Sequence, residues 1–268
     1  MSTLAGRMYR RLKSFQASRI NKLNFQTTYP RLVKSLRHSH DNEQAMKLAV
    51  GGEFEAIGLL ELETLKYFGL KEDAYVIDVG CGSGRLAKPL SQYLAGRYLG
   101  TDVVSELVNH ARQIVGRPDW RFELAQRLSI PEDDGEADMI CFFSVFTHLL
   151  HEQTYAYLEE AKRVMKPGGK IVFSFLDFTI PAHWNVFESN IGDLDVNSHP
   201  LNMFISKDAI RVWAEHLGLQ IEVIEDGDKP FVPLSQPVVF ESGSKFEKIG
   251  TIGQSVCVLQ TGGSAENH

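Results

Sequence analysis

Three places in this sequence bring together residue types able to do chemistry. The first is the run Asp78-Val79-Gly80-Cys81-Gly82-Ser83-Gly84. Alternate glycines let a backbone turn sharply and pass close to a ligand, and a helix that follows such a loop offers unpaired N–H groups. A dinucleotide fingerprint, G-x-G-x-x-G, would need its third glycine at Arg85, a large side chain where helix and strand must pack closely, and no second nucleotide-binding half follows. A glycine-rich turn without a ligand is the other reading. The second place is Asp102, which closes Leu99-Gly100-Thr101-Asp102. A carboxylate there would accept both hydroxyls of a ribose, one on each oxygen, or would simply cap a helix. The third is His148, in Ser144-Val145-Phe146-Thr147-His148, with His151 three residues on. An imidazole at the end of a strand suits a general base, and it suits packing or capping as well. No carboxylate stands at ligand spacing from the two histidines, so no metal site is expected.

These residues need a scaffold that brings loop ends together, and the hydrophobic patterning supplies one. Tyr75 to Val79 is a short β-rich run ending in the glycines, and Leu86 to Leu94 reads as helix. Strands follow at 97–101, 120–124 and 138–143, the last nearly all apolar, as expected for a central strand covered on both faces. Ser105 is the expected N-cap of a helix through Val115. Tyr157, Leu158, Ala161, Val164 and Met165 mark the buried stripe of a helix that ends at Lys166-Pro167-Gly168-Gly169 and turns into a strand over 170–175. Strand and helix alternation of this kind implies a mostly parallel sheet with right-handed crossovers. Beyond Asp177 the rhythm breaks. Residues 178–205 read as an irregular, lid-like insert, 207–216 as helix, 219–225 and 255–260 as strands, with a proline-rich excursion (Pro230, Pro233, Pro237) between them. Two strands joined without a helix predict an antiparallel addition at one sheet edge.

The Asp78–Gly84 loop, the Gly100-Thr101-Asp102 strand end and the Arg163-Val164-Met165-Lys166-Pro167-Gly168-Gly169 turn resemble the class I S-adenosylmethionine-dependent methyltransferases, over about residues 50–177. The resemblance implies a Rossmann-like α/β fold, with a seven-stranded, mostly parallel sheet and its last strand antiparallel. It implies S-adenosylmethionine as cofactor, with Asp78, Gly80, Cys81, Gly82 and Gly84 around the methionine portion and Asp102 and Val103 at the ribose. Gln126 and Arg127 would lie at the adenine, Gln126 standing where the family often has an acidic residue. Phe143, Ser144 and Val145 would line the other side. N-terminal helices often cover the cofactor in related enzymes, which directs attention to Gly52, Glu53 and Phe54.

Methyl transfer asks the protein mainly to align a nucleophile and exclude water. A hydroxyl acceptor must also lose a proton, and His148 is the candidate base. The insert holds His183, Trp184, Asn197, His199 and Asn202, which would suit a polar ring such as a sugar, or an ordinary surface lid. The expected function is therefore methylation of a small molecule, at a hydroxyl of a sugar or other natural product. N-methylation and a non-catalytic binding or regulatory role stand as alternatives.

The composition fits such a soluble domain. Of 268 residues, 43% are hydrophobic and 23% charged, ordinary proportions that exclude a fibrous or mainly disordered chain. No apolar run approaches the roughly eighteen residues of a membrane span. Cys81, Cys141 and Cys257 lie far apart, which fits a reducing compartment and a cytoplasmic location. The net charge of −6 is uneven: residues 1–40 carry nine Lys/Arg and no acid, leaving 19 basic against 34 acidic side chains beyond them. The expected division is a basic helical arm over 1–45, broken at Pro30, and a methyltransferase domain over 46–268. Peripheral membrane contact through residues 1–40 stays open, whereas nucleic acid is disfavoured by the acidic body. The oligomeric state is not legible.

Overall fold

The computed structural model describes residues 25–191 and 200–261. In chain order the first elements are helices α1 (Phe25–Ser39), α2 (Asn42–Leu48) and α3 (Phe54–Tyr67), then β1 (Val76–Val79), α4 (Ala87–Tyr93), β2 (Tyr98–Asp102), α5 (Ser105–Val115), β3 (Arg121–Leu124) and β4 (Ala137–Phe142). They are followed by a 3-10 turn (Phe146–His148), α6 (His151–Val164), β5 (Met165–Phe175), α7 (Pro181–Ile191), α8 (Lys207–Leu217) and β6 (Leu219–Glu225). Four two-residue strands, β7 (Val232–Pro233), β8 (Val238–Val239), β9 (Lys245–Phe246) and β10 (Ile249–Gly250), precede β11 (Ser255–Thr261).

Seven strands form one sheet in the order β3-β2-β1-β4-β5-β11-β6. The pairs from β3 through β5 are parallel, and β11 runs antiparallel to both neighbours. The antiparallel strand is thus the last in sequence, as expected, but it sits inside β6 rather than at the edge. Alternate residues of β4 feed opposite layers. Ile140 and Phe142 join one core, where Phe142, Phe146 and Phe173 follow one another with ring centroids 4.6 and 5.1 Å apart. Met139, Cys141 and Phe143 join the other, which contains Tyr98 stacked on Trp120 at 4.5 Å. A strand buried on both faces is apolar where it is covered, which is why β4 is hydrophobic from Met139 onward, past the half-buried Asp138.

Three expectations are corrected. Pro30 lies inside α1 and does not break it. Its φ is helical and it forfeits one backbone bond, while burial of Phe25, Thr28 and Val33 holds the helix together. Ser105 is the first residue of α5, not its cap: the Val104 carbonyl accepts from Leu107 and Val108, and Val104 N–H is itself held by the Asp102 carboxylate. The insert is not irregular throughout, since α7 occupies much of it. Phe25 of α1 is part of the main core. The cations at Arg31, Lys34 and Arg37 are exposed or half-exposed on α1, and those from Arg7 to Lys22 lie outside the described residues. Gly51-Gly52 does separate two helices and Gly69 does stop α3, each with positive φ. Among the described residues no helix is long and apolar enough to cross a membrane.

Candidate active site

The parallel strands bring the carboxyl ends of β1, β2 and β4 side by side, Val79 opposite Thr101 and Asp78 opposite Cys141. Ligands gather at such a rim in open α/β sheets. The chain leaves β1 through Gly80 at φ +77°, a conformation that L side chains seldom adopt. A Cβ on Gly80 would stand 2.4 Å from Val145 Cγ2, so only glycine lets the loop pass the tip of β4. Gly80 and Cys81 N–H both donate to the Thr101 carbonyl, at 2.7 and 2.9 Å, which pins the loop to β2. Gly82 N–H donates to Asp102 Oδ2 at 3.0 Å and Val104 N–H to Oδ1 at 2.9 Å. Both oxygens of Asp102 are thereby fixed in direction, and each keeps a lone pair.

These residues face one cavity of about 670 Å³, within the range of about 300–1,000 Å³ usual for small-molecule sites. The structure brings Asp78, Gly80, Cys81, Gly82, Asp102 and Val103 together along one side, with Phe143, Ser144, Val145 and His148 along the other. Gly84, Gln126 and Arg127, expected around the cofactor, are not in the lining. Gly84 faces α5, where a Cβ would meet Ala111 Cα at 3.0 Å. Gln126 and Arg127 are exposed beyond Ala125, which does line the cavity, and the Gln126 carbonyl accepts from Gln26 Nε2. No residue of the Gly52-Glu53-Phe54 stretch lines the cavity, although Gly51 does: the Glu53 carboxylate accepts from Glu241 N–H and the Phe54 ring lies under Lys47 and Lys88. In the insert, His183 is 2% exposed, accepting from Asp177 N–H and bonding to the Gly253 carbonyl, so it braces the fold rather than a ligand. Asn202 lines the cavity, Trp184 is exposed, and Asn197 and His199 lie outside the described residues.

Several lining residues escaped the sequence reading. Phe25, Tyr29 and Leu32 of α1 close one side of the cavity. Their i, i+4, i+7 spacing was a usable signal, masked by Pro30 and Arg31 between them. Glu61 of α3 and Arg85 form a buried ion pair at 2.5 Å, with Arg85 Nη1 also donating to the Val50 carbonyl. Gln254 and Ile252 arrive from the segment before β11, for which local pattern offers no clue.

Burial dominates the electrostatics. It raises the Asp78 carboxyl to about 7, against the Tyr98 hydroxyl, which donates to it at 2.8 Å; the neighbouring Glu61 charge pushes the same way as burial. Burial likewise raises Asp102 to about 6, opposed by the N–H groups of Val104 and Gly82. His148 is pushed below the usual imidazole range by burial, with its bond to the Leu201 carbonyl acting in the opposite sense. A carbonyl can only accept, so the proton of neutral His148 sits on Nδ1, 2.5 Å from Leu201 O. Nε2 is left with a free lone pair. His151 bonds through Nε2 to the Phe204 carbonyl, so the two histidines tether the end of the insert by separate bonds. The site therefore combines a buried and a half-buried carboxylate able to accept from an ammonium and from hydroxyls, a glycine-lined backbone, and one unprotonated imidazole nitrogen.

Residues 76–169 match the family described as methyltransferase domain. A ubiquinone biosynthesis O-methyltransferase of Coxiella burnetii is 24% identical over 179 residues, spanning 63% of this chain and 75% of that protein. Another, from Xylella fastidiosa, is 27% identical over 156 residues, spanning 56% and 62%. Among solved structures, a SAM-dependent methyltransferase of Methanosarcina mazei shares the fold with TM-score 0.53 at 15% identity, over 74% of this chain and 96% of that one. One from Aquifex aeolicus does so with TM-score 0.51 at 22% identity, over 76% and 90%. The paired acids and the close-approach glycine suit a nucleoside joined to an amino acid, so the site fits the cofactor that the family uses. Residues 76–169 are thus a methyltransferase domain, set in a fold shared with S-adenosylmethionine-dependent methyltransferases.

Proposed function

We propose that this protein methylates a hydroxyl of a small, largely apolar molecule, with His148 as the general base. The observation that carries this reading is the unprotonated Nε2 of a half-buried, tautomer-fixed histidine that lines the same cavity as Asp78 and Asp102. The O-methyltransferase names of the two relatives support it. S-adenosylmethionine, when bound, supplies an electrophilic methyl group on a cationic sulfur. Asp78 and the Gly80–Gly82 backbone would hold its amino-acid end, Asp102 its ribose, and Val103 and Ala125 the base. Phe143, Ser144 and Val145 would close the opposite side. His148 Nε2 takes the proton that the acceptor oxygen gives up as its new bond to carbon forms. Phe25, Leu32, Val186 and Ile252 in the lining favour an apolar ring that bears the hydroxyl over a bare sugar.

The test uses labelled S-adenosylmethionine and a panel of phenols and alcohols of graded acidity. His148→Asn keeps a side-chain donor for the Leu201 carbonyl and removes the base. It is expected to lower kcat by about 10²–10⁴-fold at neutral pH, least for the most acidic phenols, and to abolish the acid limb of the pH profile. An unchanged profile contradicts the base, and transfer to amines alone favours N-methylation.

A second expectation concerns pH. Asp78 and Asp102 have folded-state values above those of exposed carboxyls, so each binds a proton as pH falls through about 7 and about 6. Ligand ammonium and hydroxyl donors favour the ionised forms. Affinity for S-adenosylhomocysteine is therefore expected to weaken by about tenfold or more between pH 8 and pH 5.5. For the unliganded protein the sign is opposite. The raised values make ionisation costly to the folded state, so these two acids favour folding at low pH, and that contribution is lost as pH rises through about 7. Calorimetric titration at the two pH values checks the first statement and thermal melting of apoprotein the second.

A further inference from the structure

Ser144, at the tip of β4, has φ +57° and is, with Glu53, one of two non-glycine residues of positive φ among the described residues. Such a conformation persists only where the surroundings hold it. Here every polar atom of the residue is held. Ser144 N–H donates to Ser174 Oγ at 2.7 Å, Ser174 Oγ donates to Gln254 Oε1 at 2.7 Å, and Gln254 Nε2 donates to Ser144 Oγ at 3.1 Å. The Ser144 carbonyl accepts from Thr147 Oγ1 at 2.9 Å. The three side chains form a closed ring that joins the tip of β4, the buried end of β5 and the segment before β11. The next residue is Val145, whose Cγ2 presses on Gly80. The strained turn therefore sets how the β4 tip meets the glycine loop across the cavity.

We infer that Gln254 is a positioning residue: acting with Ser174, it holds Ser144 in its left-handed conformation and so fixes the close approach of Val145 to Gly80, which sets where the glycine loop stands along the cavity that takes the cofactor. The inference rests on the reading of this cavity as the cofactor site. It differs from a direct contact between Gln254 and ligand in one measurable respect. Glycine adopts positive φ without help, so a glycine at 144 makes the clamp unnecessary.

The experiment is a calorimetric cycle with S-adenosylhomocysteine. Gln254→Ala is expected to raise Kd about tenfold, and Ser174→Ala to weaken binding in the same direction. Ser144→Gly and the double variant Ser144→Gly/Gln254→Ala are expected to agree within about twofold. Whatever the Ser144 hydroxyl itself contributes is absent from both members of that pair. Melting of each apoprotein verifies folding, and Ser174→Ala tests the ring from β5 where Gln254→Ala does not fold. Unaltered binding in Gln254→Ala, or the same loss in the glycine background, overturns the positioning role. Absence of binding heat in the parent protein is a different failure, that of the cofactor site itself.

Discussion

Asp102→Ala will abolish the rise in melting temperature that S-adenosylhomocysteine produces in the parent protein. Gly82 and Val104 N–H fix the two oxygens from behind, so the carboxylate is oriented before any ligand arrives. A hydrogen bond to a charged group contributes about 1.5–3 kcal/mol. Losing two therefore costs about 3–6 kcal/mol, which is more than a hundredfold in Kd. The apoprotein should respond far less. Removing a half-buried carboxylate whose ionisation is disfavoured relieves a desolvation cost, while two N–H groups lose their acceptor. Calorimetry separates the two effects, and a Kd within about threefold of the parent would remove Asp102 from the site.

Arg85→Met is the second large effect, and it concerns stability. Arg85 and Glu61 side chains are 11% and 3% exposed, and the guanidinium meets both carboxylate oxygens, at 2.5 and 3.3 Å. Deleting one member of a buried pair leaves the other charged and desolvated, at about 3–5 kcal/mol. Burial already raises the Glu61 carboxyl, with Arg85 acting against it. Without Arg85 the carboxyl should take up a proton more readily, and the deficit should shrink at acidic pH. Glu61→Leu/Arg85→Met should recover much of the loss, because two apolar side chains leave no unpaired charge. Denaturant unfolding of the single and double variants at pH 8 and pH 5.5 checks this. Equal destabilisation in both would show that the bond from Arg85 to the Val50 carbonyl, rather than the ion pair, matters most.

What could be read in advance followed from local rules. Val76, Ile77, Val79 and residues 139–142 are apolar because the sheet covers them on both faces, and Asp102 announces itself as an acid at a strand end. The stripe of α6 is periodic because one face meets the sheet. What escaped was decided by partners distant in sequence. Pro30 stays helical because Phe25 and Val33 are buried. Gln126 appears aligned with an adenine-binding position, yet the chain turns it outward after Ala125. His183 looks like a ligand-facing residue of a lid until Gly253 supplies its partner, 70 positions away. Gln254 sits 110 positions from Ser144, and no pattern shorter than the whole fold connects them.

The most direct test of the central claim is a crystal structure with S-adenosylhomocysteine. The ribose hydroxyls should lie within hydrogen-bond distance of the Asp102 oxygens, the amino-acid end beside Asp78 and Gly80–Gly82, and the sulfur toward the side of the cavity that holds His148. A nucleoside bound with its ribose away from Asp102, or in another cavity, would contradict the account.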